Sequence, residues 1–144
     1  MDDRVVQRRI EIARSLFAGW SSGDPDAPEP FFAPEATLHD VASGTFRGWP
    51  AIRAFFAAGL QKWDDLVLAP DEFWVNDGGL ALHYEMTATV RDPAPYGPSA
   101  VGSRWRVEVM SVLRFDPERD DLIVYEADFH DRGARARSLG LAGS

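Results

Sequence analysis

Two long stretches alternate apolar and polar side chains with a period of two, the pattern of an extended strand with one buried face. In LALHYEMTATV, residues Leu80, Leu82, Tyr84, Met86, Ala88 and Val90 share one side, and His83, Glu85, Thr87 and Thr89 share the other. In RWRVEVMSVLRF, Trp105, Val107, Val109, Ser111, Leu113 and Phe115 alternate with Arg104, Arg106, Glu108, Met110, Val112 and Arg114. Strands that are apolar on one side and charged on the other suit an antiparallel sheet with one wet face. Something else must cover the apolar side.

The helical segments can supply that cover. From about Asp3 to Ser22, the residues Val6, Ile10, Ala13, Phe17 and Trp20 recur at three- and four-residue steps and make one apolar face. A second helix is predicted from Pro50 through AIRAFFAAGLQKW, with Ile52, Phe55, Phe56 and Leu60 inward. Between them the proline-rich DPDAPEPFFAPEA allows a turn or two of helix anchored by Phe31 and Phe32, and ATLHD reads as a short strand. After Trp63 the pattern changes to strands. The stretch RDPAPYGPSAVGS is too long and proline-rich for a tight hairpin, so it is a loop able to cover something. The expected class is α+β, with helices gathered on the concave face of a curved antiparallel sheet.

The 144 residues suit one domain, expected over 1–131, with 132–144 as a flexible basic tail. There is no cysteine, so disulfides and thiolate chemistry are excluded. A net charge of −8, from 23 acidic and 15 basic side chains, opposes binding to nucleic acid or anionic lipid. No apolar run is long enough to span a membrane, and the charged N-terminus has no signal-peptide core, so a cytoplasmic location is expected. Motifs for nucleotide phosphates, zinc peptidases and serine hydrolases are missing. The three histidines lack a metal-ligand spacing, so neither metal nor cofactor is expected.

The final strand-like stretch, LIVYEADFHD, carries the most unusual chemistry. Glu126, Asp128 and His130 occupy alternate positions and point to one side of a strand. A simple apolar-inside reading buries Tyr125, Ala127 and Phe129 instead, and leaves the polar set on a solvated face. The other reading sends the polar set into an apolar cavity.

The segments SSGDPDA, FFAPEATLHD, GWPAIRAFFAAGL, SVLRFDPE and LIVYEADFHD, in this order, resemble the nuclear transport factor 2-like superfamily. The similarity is to its branch of SnoaL-like polyketide cyclases, ketosteroid isomerases and limonene-epoxide-hydrolase-like enzymes. The resemblance implies a cone of curved sheet closed by helices around a ligand cavity, and commonly a homodimer formed through the outer face of the sheet. It implies that Glu126, Asp128 and His130 face the cavity. Asp128 matches the acid/base aspartate of the cyclases and epoxide hydrolases, and Asp40 matches the proton-shuttling base of the isomerases. The departures are informative: Leu16 stands where the isomerases place a tyrosine oxyanion donor, and Ser111 where they place a protonated acid. The arginine and second aspartate of the epoxide hydrolases are missing from HYEMTATV.

The expected reaction is acid/base chemistry on a small apolar carbonyl or epoxide compound, polyketide-cyclase-like, isomerase or hydrolase. Asp128 is the proton-transfer residue, assisted by Asp40 or His130. Burial among aromatic groups raises the pKa of such a carboxyl and suits it to proton exchange near neutrality. Tyr84 can donate its hydroxyl to a developing oxyanion. Phe17, Trp20, Phe55, Trp63, Val109, Ser111 and Glu126 complete the expected ligand contacts. The competing expectation is a ligand-binding or assembly module on the same fold, without chemistry; in that case Asp40 simply caps the turn that follows it.

Overall fold

The computed structural model describes residues 1–131 and 133–141. Helix α1 runs over Asp3–Trp20 and is capped by Asp2, whose side chain accepts from the Arg4 amide at 2.8 Å. Strand β1 is Phe32–Asp40 and β2 is Gly44–Arg47, followed by helix α2 over Trp49–Lys62. Strands β3 (Trp63–Asn76), β4 (Gly79–Val90), β5 (Arg104–Asp116) and β6 (Leu122–Phe129) follow, and helix α3 covers Ala134–Ser138. They form one six-stranded sheet in the order β2-β1-β6-β5-β4-β3, with α1 and α2 packed across one face. The class is α+β, as expected.

One pairing departs from the antiparallel expectation. Strand β1 lies parallel to β6, with Leu38 level with Glu126 and Asp40 level with Asp128, and the other pairings are antiparallel. Parallel neighbours need a long crossover. Here α2 and four strands intervene in the chain, and no local pattern announces such a partnership.

The two alternating stretches behave as read. β4 and β5 pair with Leu82 opposite Ser111 and Tyr84 opposite Val109, and all four are buried. The region after Trp63 is a single long edge strand. An edge position explains how β3 tolerates Pro70 and two register shifts, one between Asp64 and Val67 and one between Pro70 and Glu72. In α1 the buried face is Ala13, Leu16, Phe17 and Trp20, together with Arg9. The Arg9 guanidinium donates to the carbonyls of Asn76 and Asp77 and pairs with Asp121, which fastens the start of α1 to the β3–β4 turn.

The C-terminal end differs from the expected tail. Strand β6 stops at Phe129, opposite Met110, so the Arg104–Val109 part of β5 has no strand on that side. Helix α3 takes the place: the Arg106 amide donates to Ser138 Oγ at 2.8 Å, and Ala136 is buried. An exposed strand edge is a liability, and this cover removes it. Of the expected tail, Arg132 and residues 142–144 lie outside the described residues.

Gly79 shows how close the backbones of β4 and β5 come. A Cβ there would lie 1.9 Å from the Leu113 carbonyl oxygen, a contact only backbone movement could relieve. Gly79→Ala is expected to destabilise the fold by about 3 kcal/mol, read as a lower urea midpoint. An unchanged midpoint would contradict the pairing described for the β4 start.

Candidate active site

A single extra residue in β6 builds the site. On β5, Leu113 and Phe115 both face the core and are two residues apart. Their partners on β6 are Glu126 and Ile123, three residues apart. The surplus residue is a bulge, and it reverses which parity of β6 points inward. Before the bulge Ile123 plugs the core; after it Glu126, Asp128 and His130 face the cavity. The apolar-inside reading, which placed Tyr125, Ala127 and Phe129 inward, does not hold for those residues: they follow the bulge, and the inward apolar residue of that parity is Ile123, before it. Phe129 is on the outer face and 46% exposed.

The cavity holds about 340 Å³ and lies between α2, the inner face of the sheet and α3. Trp20, Phe55, Trp63, Tyr84, Val109, Glu126, Asp128, Asp40 and His130 all line it, as the sequence suggests. Phe17 and Ser111 do not. Phe17 packs edge-on behind Tyr84 at 4.7 Å, one layer deeper, because its position on α1 aims at the sheet centre. Ser111 is fully buried beneath Asp128. Residues not anticipated include Leu66 and Leu68 of β3, Met86 of β4, Lys62, Arg135 of α3 and Tyr96 from the 91–103 loop. Met86 stood on the apolar face already identified, and Tyr96 sits in the loop read as a possible cover. His39 and His83 turn outward to Thr45 and Asp71.

The polar groups fall into two linked sets. In one, Ser111 Oγ donates to Asp128 Oδ1 at 2.6 Å and lies 2.9 Å from the Tyr84 hydroxyl. A serine has one proton to give, so when an ionised Asp128 receives it, Tyr84 must donate to Ser111. In the other, His130 Nε2 lies 3.2 Å from both Asp40 oxygens. Asp40 Oδ1 also accepts from the amides of Ala42 and Ser43, at 2.9 and 3.0 Å. Asp40 thus both caps its turn and faces the cavity.

Charge separates these carboxyls. Burial alone would raise the pKa of Asp40, but the His130 hydrogen bond and charge, with the two amides, outweigh it and hold it below its ordinary value. Asp128 is pushed up by burial, opposed in part by hydrogen bonding from Glu126 and then from Ser111. Glu126, only 2% exposed, is driven furthest: burial leads, and the charge of Asp128 adds to it. Its Oε1 has no hydrogen-bond partner. The Trp20 indole N–H is near enough to oppose the rise but lies outside hydrogen-bonding geometry. Two neighbouring buried carboxyls cannot both ionise cheaply, and of the two Glu126 is the one whose hold on a proton burial strengthens more. Burial likewise drives the Tyr84 hydroxyl well above its usual range, so it stays a donor. The Leu16 that replaces the isomerase tyrosine is simply buried core.

Among the described residues, no group of three His, Asp or Glu is arranged to hold a metal ion. No described helix is long and apolar enough to cross a membrane.

A family model described as SnoaL-like domain matches residues 13–126. No curated protein shows a sequence match to this chain. Solved structures do share the fold. A candidate polyketide cyclase from Xanthomonas campestris superposes with a TM-score of 0.81 at 15% identity, covering 92% of this chain and 97% of that one. A Catenulispora acidiphila protein with a ketosteroid isomerase-like fold, in complex with trimethylamine, gives 0.77 at 18%, covering 91% and 93%. The epoxide hydrolase/cyclase-like enzyme SalBIII, of pyran ring formation in salinomycin, gives 0.72 at 21%, covering 89% and 94%. At such identities the likeness is one of fold.

The state of Glu126 leaves a mark on stability. In the unfolded chain this carboxyl ionises near 4.5, and in the folded chain only at higher pH. Its contribution is therefore whole below about pH 4.5 and is lost as pH rises toward the folded value. Glu126→Gln, which cannot ionise, should gain on the order of 1 kcal/mol over the parent near neutral pH. Chemical denaturation across pH should show that gain shrinking to nothing in acid. A gain independent of pH would mean that Glu126 is not held protonated.

Proposed function

Since the chain belongs to the SnoaL-like domain family, we propose that it is an acid/base enzyme acting on a small apolar carbonyl or epoxide compound, with Asp128 as the proton-transfer residue. The observation that carries this reading is the hydrogen-bonded row Tyr84–Ser111–Asp128, which ends in an aromatic cavity beside a neutral Glu126. A poorly solvated carboxylate with its pKa raised by burial is a competent base. It can remove a proton from the carbon next to a carbonyl. Glu126, with its proton retained, can donate to the carbonyl oxygen as negative charge gathers there.

The enolate so formed attacks a second carbonyl in a cyclase, or is reprotonated at another carbon in an isomerase. With an epoxide, Asp128 would instead take a proton from water as Glu126 protonates the opening oxygen. Aldol closure of the polyketide-cyclase kind is the preferred case. It asks for one base and one acid, and it needs neither the isomerase tyrosine nor the epoxide-hydrolase arginine. His130 and Asp40 form a second proton-handling pair on the same wall.

A ligand-binding module without chemistry is the alternative, favoured by the apolar Leu16 where an oxyanion donor would stand. Asp128→Asn separates the two. An enzyme should lose roughly 100-fold or more in turnover while still binding its ligand. Equal binding by both forms, with no product from either across aromatic diketones, cyclic enones and epoxides, would favour the module. The proposal includes a homodimer through the outer sheet face, where Met110 and Phe129 are paired neighbours and both exposed. Light scattering should then give twice the chain mass, and Met110→Glu should reduce it toward one.

A further inference from the structure

We propose that the ligand of this cavity carries an anionic group with the geometry of a carboxylate, and that Arg135, helped by Lys62, holds it. The inference rests on the reading that a small apolar molecule occupies the cavity, and it adds the chemical class of that molecule's other end.

Arg135 projects from α3 into the cavity wall. Its guanidinium lies against two indoles, 4.8 Å from the Trp63 ring centre and 4.4 Å from that of Trp105. Stacking engages the flat faces of the group and leaves its N–H edges available. Its Nε is buried and has no hydrogen-bond partner. No carboxylate among the described residues pairs with Arg135. By contrast Arg53, Arg91, Arg106, Arg119 and Arg137 each hold an aspartate or glutamate. In a chain with 23 acidic and 15 basic side chains, a half-buried arginine that faces a cavity with no acid paired to it among the described residues is suited to receive an anion. Lys62, at the end of α2, lines the same cavity from its exposed rim and adds a second positive charge.

The acids of the cavity do not cancel this. Trp105 and Ser111 lie on the same face of β5, six positions apart, roughly 20 Å of strand. Arg135 stacks at the Trp105 end and Asp128 is bonded at the Ser111 end. Burial favours the neutral form of Glu126, and Asp40 is matched by His130 and two amides. The cavity is thus polarised: proton-handling groups at one end, a stacked cation at the other, aromatic and aliphatic walls between. A flat ring system with a reactive carbonyl at one end and a carboxylate at the other fits both ends.

Three probes of one shape test this: naphthoate, the neutral naphthamide and naphthylmethylammonium. Binding is read by calorimetry and by quenching of the tryptophans beside Arg135. Wild type is expected to bind naphthoate about ten-fold more tightly than naphthamide, and salt should narrow the gap. In Arg135→Met the gap should close while naphthamide affinity stays nearly constant. Arg135→Lys should keep part of it, and this variant with the salt series carries the test if the methionine variant folds poorly. Equal binding of acid and amide by wild type, a gap that survives in Arg135→Met, or a preference for the ammonium would each overturn the anion site. Failure of all three probes to bind would overturn the apolar-cavity reading and the inference together. Turnover plays no part in these measurements, so a loss of the proton-transfer proposal would leave their result standing.

Discussion

One surplus residue in β6 governs the rest of the molecule. A strand that kept strict alternation from Leu122 to Phe129 could either seal the core or furnish a polar site, since a shift of one position turns every side chain over. The bulge between Ile123 and Glu126 allows both in eight residues. Its upstream half inserts Ile123 beside Phe115, and its downstream half lays Glu126 and Asp128 beside Leu113 and Ser111. The parallel pairing with β1 then brings Asp40 level with Asp128. Carboxyls far apart in the chain become near neighbours because two strand registers agree.

Concentrating carboxyls in a poorly solvated space is costly, and the structure meets that cost differently for each. Asp40 is compensated outright, by an imidazole and two amides. Asp128 receives a short bond from Ser111, backed by Tyr84. Glu126 receives no such compensation at Oε1, and burial pushes its pKa up the furthest. The three therefore differ in proton affinity although their intrinsic chemistry is nearly the same. In the proposed chemistry that difference separates an acid from a base within one residue type.

The aromatic shell does mechanical and electrostatic work together. Trp20 packs edge-on to Phe56 at 4.6 Å and Trp63 to Trp105 at 5.2 Å, so the cavity walls are rigid and low in polarity. The same Trp63 and Trp105 seat the Arg135 guanidinium. A helix of five residues would have little stability alone. Stacking of Arg135, burial of Ala136 and the bond from the Arg106 amide to Ser138 hold it against β5. The cover of a vacated strand edge thereby becomes part of the cavity wall.

The amino-acid sequence alone determined the elements whose pattern is local: α1, α2, and the β4 and β5 strands with Tyr84 and Ser111 on the inner face. Their periodicity is written in neighbouring residues, and burial simply follows it. Asp128 and Asp40 were visible as well, the first through an unusual run of polar residues in a strand, both through likeness to a known family. Tertiary structure decided what depends on distant partners. The bulge in β6 exists only relative to β5, and the parallel β1–β6 pair joins strands that are distant in the chain. Ser111 lies beneath the cavity wall, hydrogen-bonded between Tyr84 and Asp128, and Arg135 became cavity lining because β6 ends early. Pairing register and burial are properties of the whole chain, so no window of residues contains them.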